Sequence, residues 1–391
     1  MKRSIVVALG LILIVVVGIL IHNVEKRKEE VEEELNISLP ESRSFYMGTT
    51  PLPYDFTKQA VEKTYGIVSE HTDLIAHHFD SGVPWPEAFE GKPYHPNVEA
   101  NINTRLRHLQ EGQKVYLAVT PISNLRDGLA KYWGEKENME RPGIWKNKDF
   151  DDPDVIKAYT NFCRYMIQKF HPDFMAYGIE VNILAKSNPG AFEKFLVLAE
   201  QVYQVLKEEN PQLPLFLTIQ IDTFHENEGE QRKAIEKLLP YTDYIAVSSY
   251  PFSYKADPKD LPEDWFSEVA ELAPEKPFAV AETGFIAEDL ILQKYGVRIP
   301  GSERWQAEYV QFLLSEANKL NAKFIVWFCP VDYDLLWEKI KGLMDEFFKM
   351  WRDTGLLNEK LEERQSLKVW DAWLKLPLRG EENSSENYGK H

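Results

Sequence analysis

Cysteine is scarce in this chain. Of 391 residues only Cys163 and Cys329 are cysteines, too few for a disulfide framework and without the paired spacing of a zinc site. Both are expected to be unpaired. No third ligand stands at a fixed spacing from the adjacent His77 and His78, so no metal is expected, and nothing calls for an organic cofactor. No glycine-rich phosphate loop follows the first strand-like run, which weighs against a doubly wound nucleotide-binding sheet. No internal repeat is visible, so a repeat array is not expected. Positive charge is also short. Lys plus Arg number 45 against 62 Asp plus Glu, a net charge of −17. That surface repels nucleic acid and anionic membrane surfaces and is compatible with neutral polymers such as polysaccharides.

Aromatic residues, by contrast, are plentiful, with 10 Trp and 18 Tyr. Most are expected to fill a large core, and a few at pocket mouths would stack on flat ligands. The N-terminus differs in kind from the rest. Lys2 and Arg3 precede an uncharged apolar run over residues 5–21, and His22, Asn23, Val24, Glu25 and Lys26 follow without a small-residue cleavage site. This pattern reads as an uncleaved signal anchor over 1–23, single-pass, with the basic end inside and the domain outside the cell. A cleaved signal peptide and secretion is the alternative. Residues 24–40 read as a charged stalk, 41–378 as one domain, and 379–391 as a polar disordered tail. Membrane contact is expected through the anchor only, and the domain is expected to be a monomer.

Within the domain, short apolar runs rich in β-formers alternate with helical patterns. The expected strands are 45–49, 74–79, 114–120, 174–180, 215–221, 244–250, 278–282 and 324–328. The expected helices include 155–170, 189–208, 230–239, 303–320 and 335–351. Eight strands with crossover helices predict a (β/α)8 TIM barrel, whose chemistry sits where the strands end.

Two of those ends carry a glutamate. Glu180 closes Phe174-Met175-Ala176-Tyr177-Gly178-Ile179, and Glu282 closes Pro277-Phe278-Ala279-Val280-Ala281. A carboxylate ending a buried apolar strand is costly unless it has a partner or a task. Two of them, on the fourth and seventh of eight strands, fit the acid/base and nucleophile of a retaining glycoside hydrolase. Alternation is expected to place Gly178, Glu180 and Asn182 on one face, with Gly178 leaving room beneath the site. One of His77 and His78 is expected at the pocket, and His77 is assigned there. Gln220 and Asp222 after strand 5 are candidates for sugar-hydroxyl contacts. Tyr250 after strand 6 would hydrogen-bond a carboxylate on strand 7. Trp327 would floor a sugar subsite or sit in the core, and Trp85 would line a more distant subsite.

These residues together resemble the clan A glycoside hydrolases, over roughly residues 45–376. Tyr-Gly-Ile-Glu-Val-Asn at 177–182 is similar to the Gly-Asn-Glu-x-Asn motif of the family 53 arabinogalactan endo-β-1,4-galactanases. Ser-Ser-Tyr-Pro-Phe at 248–252 and Ala-Glu-Thr-Gly-Phe at 281–285 resemble the sixth and seventh strands of the same enzymes, and Trp327 matches their strand 8 platform. The resemblance implies a retaining glycosidase in which Glu180 is the acid/base and Glu282 the nucleophile, acting on a β-linked glycan of the β-galactan or β-mannan type, which the expected anchor would place outside the cell. One position departs from the pattern. Ile179 stands where the clan carries the Asn that contacts the sugar 2-hydroxyl. Either Asn182 takes over that contact, or the substrate differs at C2, or the barrel is weakly active or inactive. A non-catalytic glycan-binding barrel displayed from the membrane and a surface transglycosylase are the alternative functions.

Overall fold

The computed structural model describes residues 37–380. Eight parallel strands close into a barrel in chain order: β1 (Tyr46–Thr49), β2 (Leu74–Phe79), β3 (Lys114–Val119), β4 (Phe174–Gly178), β5 (Leu215–Gln220), β6 (Ile245–Ser249), β7 (Phe278–Thr283) and β8 (Phe324–Trp327). β8 pairs back onto β1 from Tyr46–Phe324 to Thr49–Trp327. The expected (β/α)8 barrel is thus the observed fold, with every expected strand present to within one or two residues. A small antiparallel hairpin, Leu290–Leu292 with Val297–Ile299, sits between β7 and β8. The expected signal anchor, most of the stalk and most of the polar tail lie outside the described residues. Among the described residues no helix is long and apolar enough to cross a membrane.

The barrel closes because large and small side chains alternate inside it. Phe174, Phe216, Phe324 and Tyr116 fill the interior, with Phe174 4.8 Å and Tyr116 4.9 Å from the Phe324 ring centroid. Ala76, Ala118, Ala176, Ala246 and Ala279 leave the room they occupy. Outside, helices bury apolar stripes at helical spacing. Pro153–Phe170, for example, turns Val155, Ala158, Tyr159, Phe162 and Met166 onto the strands. Its start is fixed by Asp152, whose side chain accepts the Asp154 N–H. Cys163 and Cys329 are both buried and unpaired.

The expected single helix over 335–351 is broken. A helix runs over Asp334–Ile340, the chain turns through Gly342, and a 3-10 helix resumes over Glu346–Trp351. Asp345 caps the second piece by accepting the Phe347 N–H at 2.9 Å, and its carboxylate competes with continuation of the first. Leu343, at the break, is 86% exposed, so the apolar pattern that suggested one long helix is not used for packing there.

Two local irregularities position the chemistry. In β4 the pairing with β5 slips between Ala176 and Gly178. In β7 the pairing with β6 slips so that Ser248 stands opposite Glu282. Each slip inserts one residue just ahead of a glutamate, and a bulge of this kind re-aims the side chains that follow. In β7, Ala279 and Ala281 face the barrel interior. Strict alternation would therefore turn Glu282 outward, and the slip brings it to the mouth. In β4, Gly178 faces the helices rather than the site. A Cβ added there would lie 2.7 Å from Leu217 and 3.1 Å from Val181. Glycine is needed for helix packing, not for room beneath the site, and Ile179 turns inward instead.

Candidate active site

Glu180 follows β4 in the left-handed conformation, with φ 50°, and starts the helix Val181–Ser187. A non-glycine residue in this region is uncommon and is held by its surroundings. Its N–H donates to Thr218 Oγ1 at 2.8 Å and the preceding Ile179 N–H to Thr120 Oγ1 at 3.3 Å. Glu180 Oε1 accepts from Ser248 Oγ at 2.7 Å and from Gln220 Nε2 at 3.3 Å. Oε2 faces Arg126 Nε at 3.3 Å.

Glu282 lies across the same cavity, with Ser248 between the two acids: opposite Glu282 in the ladder and donating to Glu180. Tyr250 donates its hydroxyl to Glu282 Oε1 at 2.6 Å. His78 Nδ1 stands 2.8 Å from Oε2. Burial alone would raise the Glu282 carboxyl. The His78 charge and hydrogen bond, the Tyr250 hydroxyl and the Arg126 charge outweigh it and hold Glu282 below its ordinary value. The partner shift is consistent. Burial would depress His78, but the Glu282 charge and hydrogen bond, helped by Asp80, keep it above the ordinary histidine value. The cavity is lined by His78, Tyr116, Ile179, Glu180, Thr218, Ser248, Ala281 and Glu282.

Of the residues singled out from the sequence, Glu180, Glu282, Gln220 and Tyr250 come together, and four others are placed elsewhere. His77 is fully buried on the outer face of β2, its ring 5.1 Å from Phe170; its neighbour His78 faces the cavity. Asn182 is buried and engaged, donating to Gln220 O at 3.0 Å and to Gln231 Oε1 at 2.7 Å while accepting the Gln220 N–H at 2.8 Å. It cannot take over a 2-hydroxyl contact, because the helix beginning at Glu180 replaces the strand that would have kept it on the site face. Trp327 is fully buried on the outer side of β8, near Tyr309 and Trp370, and donates to Thr354 O at 2.8 Å. The residue after the strand, Phe328, is partly exposed and packs against the cluster of Cys329, Tyr333, Leu336 and Trp337. Trp85 is buried, donating to Ala130 O at 3.0 Å and stacked on Trp145.

Asp222 sits at the edge of the site. Its Oδ2 accepts the Tyr250 N–H at 2.9 Å, and its Oδ1 is sealed from solvent without a partner. Burial pushes its carboxyl from 3.8 up to about 7, against the pull of the Tyr250 N–H. A carboxyl whose value rises on folding favours the folded state while protonated, so its contribution is present below 3.8 and lost as pH rises to about 7. Asp222→Asn, which cannot ionise, is therefore expected to gain stability over the parent between pH 4 and pH 8. Urea midpoints at the two pH values measure it. An equal difference between the proteins at both would refute the assignment.

Arg126 was not anticipated. It comes from the loop after β3, buried and left-handed at φ 55°, and bridges Glu180 to Asp80 Oδ2 at 2.7 Å. No local pattern marks a loop arginine. The need for a cation among three acids is the signal that could have prompted a search.

No protein-family model matches the chain, and no curated protein matches it in sequence. Similarity appears in solved structures. GH5_18 from Streptomyces cattleya in complex with GlcNAc superposes with TM-score 0.57 at 15% identity, over 85% of this chain and 80% of that one. Exo-β-1,4-mannosidase Op5Man5 from Opitutaceae bacterium strain TAV5 gives TM-score 0.60 at 13% identity, over 85% of this chain and 59% of that one. The Ignisphaera aggregans GH53 catalytic domain gives TM-score 0.52 at 15% identity, over 87% and 99%. These neighbours are clan A glycoside hydrolases, with a family 53 member among them. At such identities the likeness establishes the shared barrel fold.

Proposed function

We propose that this chain is a retaining glycoside hydrolase acting on a neutral β-linked glycan of the mannan or galactan type. One observation carries the reading. Glutamates from the ends of β4 and β7 converge on one cavity, separated by Ser248, and each is held by polar partners on both oxygens. In the first step Glu282 attacks the anomeric carbon, and the glycosidic bond breaks as Glu180 gives its proton to the leaving oxygen. In the second, Glu180 removes a proton from water, which displaces Glu282 and releases the sugar with retention. Tyr250 and His78 fix the attacking carboxylate from two sides, which limits the orientations that must be searched.

The charge balance favours a neutral sugar. Arg126 and His78 face Asp80, Glu180 and Glu282, so among the described residues these two cations are already matched by acids rather than free for a uronate or sulfate. Among the structural neighbours, one is an exo-β-1,4-mannosidase and another was solved with Manβ1-4GlcNAc, which supports β-mannosides as the first substrates to try. The apolar run at 5–21 would hold the domain at the outer face of a membrane. A non-catalytic glycan-binding barrel is the second reading. It draws on Ile179, which puts an apolar side chain beside Glu180.

The test is hydrolysis by the full chain of β-mannan, β-galactan, β-glucan and xylan, with the matching oligosaccharides, read as new reducing ends. Release from one polymer with retained anomeric configuration is the expected result. Binding without release from any would overturn the hydrolase and leave the binding barrel.

A further inference from the structure

The nucleophile of the proposed reaction rests against a titratable base. His78 lies on the inner face of β2, two residues beyond Ala76 and four beyond Leu74 in the interior cluster. Its Nδ1 is 2.8 Å from Glu282 Oε2. The other Glu282 oxygen is held by the neutral hydroxyl of Tyr250. His78 thus supplies the contact that carries charge. It is fixed from behind, because Arg105 Nη1 donates to its carbonyl at 2.7 Å.

We propose that His78 is the positioning residue of Glu282 and that the charge of its imidazolium, beyond its hydrogen bond, keeps Glu282 ionised in acid solution. This rests on the hydrolase reading above and adds the regulation of that site by pH. The groups that face His78 are Glu282 from β7, Asp80 from the end of its own strand, and Arg126 from the loop after β3. Tyr116 from β3 and Glu180 after β4 line the same cavity, and Tyr250 from β6 reaches it through Glu282. Burial works against the imidazolium's proton and Arg126 adds to it, while the acids hold the proton on; the acids win. Glu282 is lowered in turn, so the ion pair persists below the ordinary value for a glutamate and is lost when Glu282 itself takes a proton.

The test separates charge from hydrogen bond. Asn at position 78 offers an N–H near the Nδ1 position without charge, whereas Arg offers a permanent cation. In the parent, the acid limb of kcat/KM reports the free Glu282. In His78→Asn that limb should move to higher pH by about 1–3 units, the usual effect of an adjacent opposite charge. In His78→Arg it should return toward the parent value. A histidine with a merely structural role would lower the plateau and leave the limb where it is.

A second arm needs no activity. The full chain is labelled at the ring carbons of its 9 histidines, the His78 signal is identified by its loss in His78→Asn, and it is titrated by NMR. It should titrate above the ordinary value of 6.5 in the parent and below it in Glu282→Gln, where burial acts without the compensating charge. An unchanged His78 titration in Glu282→Gln overturns the inference alone. So does an acid limb that stays put in His78→Asn while the enzyme is active. A coupled pair in a protein that hydrolyses no glycan overturns the functional reading, and with it any role for His78 in catalysis.

Discussion

Glu282→Gln is expected to reduce turnover by on the order of 10⁴-fold or more, and Glu180→Gln by about 10²–10⁴-fold, with the second loss depending on the leaving group. The asymmetry follows from the proposed roles. Without the Glu282 carboxylate no glycosyl-enzyme forms, whichever sugar departs. Without Glu180 a leaving group that needs no proton, such as a nitrophenolate, still departs, so the first step recovers while the second stays slow. A burst of nitrophenol followed by slow steady-state release is the predicted signature of Glu180→Gln on an aryl glycoside. Both amides are close in size to the acids they replace, and Ser248, Gln220 and Tyr250 can still hydrogen-bond to an amide oxygen, so the fold should survive. Equal losses on aryl and sugar leaving groups would remove Glu180 from the acid role. Retained turnover in Glu282→Gln would remove the two-step mechanism.

How much of this was legible in the sequence depends on what set each feature. The eight strands were readable because each is a short apolar run bounded by polar residues. The two glutamates stood out because acids rarely close such runs. Facing was harder to read. Strands of a parallel barrel are covered on both sides and read as continuous apolar runs, so parity along β2 did not say which of His77 and His78 points inward. The same problem left Trp327 open between a subsite floor and the core, and the core is where it lies. The hydrogen bond from Tyr250 to Glu282 was legible, because an aromatic hydroxyl follows the strand beside that acid.

Gly178 and Asn182 were misread for another reason. Simple alternation was carried through a register slip and into a helix, and neither leaves a mark in one sequence. The left-handed conformation at Glu180 is set by tertiary contacts from Thr218, Ser248 and Arg126, three segments far apart in the chain. Arg126 was invisible for the same cause, since its position is fixed by the acids it reaches across the barrel mouth.

The other large effect is structural. Arg364 precedes the last helix, Gln365–Leu374, and its side chain is only 2% exposed. Its Nη2 contacts Asp332 after β8 and Glu288 after β7, the latter at 2.8 Å, while Nη1 reaches Glu303 at the start of the helix Glu303–Lys319, also at 2.8 Å. Asp332 is buried as well, and its Oδ1 accepts the Gly355 N–H at 2.7 Å. One guanidinium therefore joins the segments that follow β7 and β8 to the last helix, and Gly355 is packed so tightly that a Cβ there would lie 2.3 Å from Asp332 N. Removing only the cation leaves the Asp332 carboxyl buried without its ion-pair partner, and breaking a buried pair on one side typically costs roughly 3–5 kcal/mol. Arg364→Leu should lower the unfolding free energy measured in urea by that amount, whereas Arg364→Leu with Asp332→Asn should recover part of it, because no unpaired carboxyl remains. A loss below about 1 kcal/mol for Arg364→Leu, in the range of an exposed pair, would mean that water reaches Asp332 and that this cluster does not hold the barrel's final turn. The expected loss reaches the active site too. Trp351, in the segment that Asp332 and Gly355 anchor, packs edge-on 5.8 Å from the Tyr250 ring, and Tyr250 holds Glu282. Loosening that segment should therefore lower kcat at temperatures where Arg364→Leu is still folded.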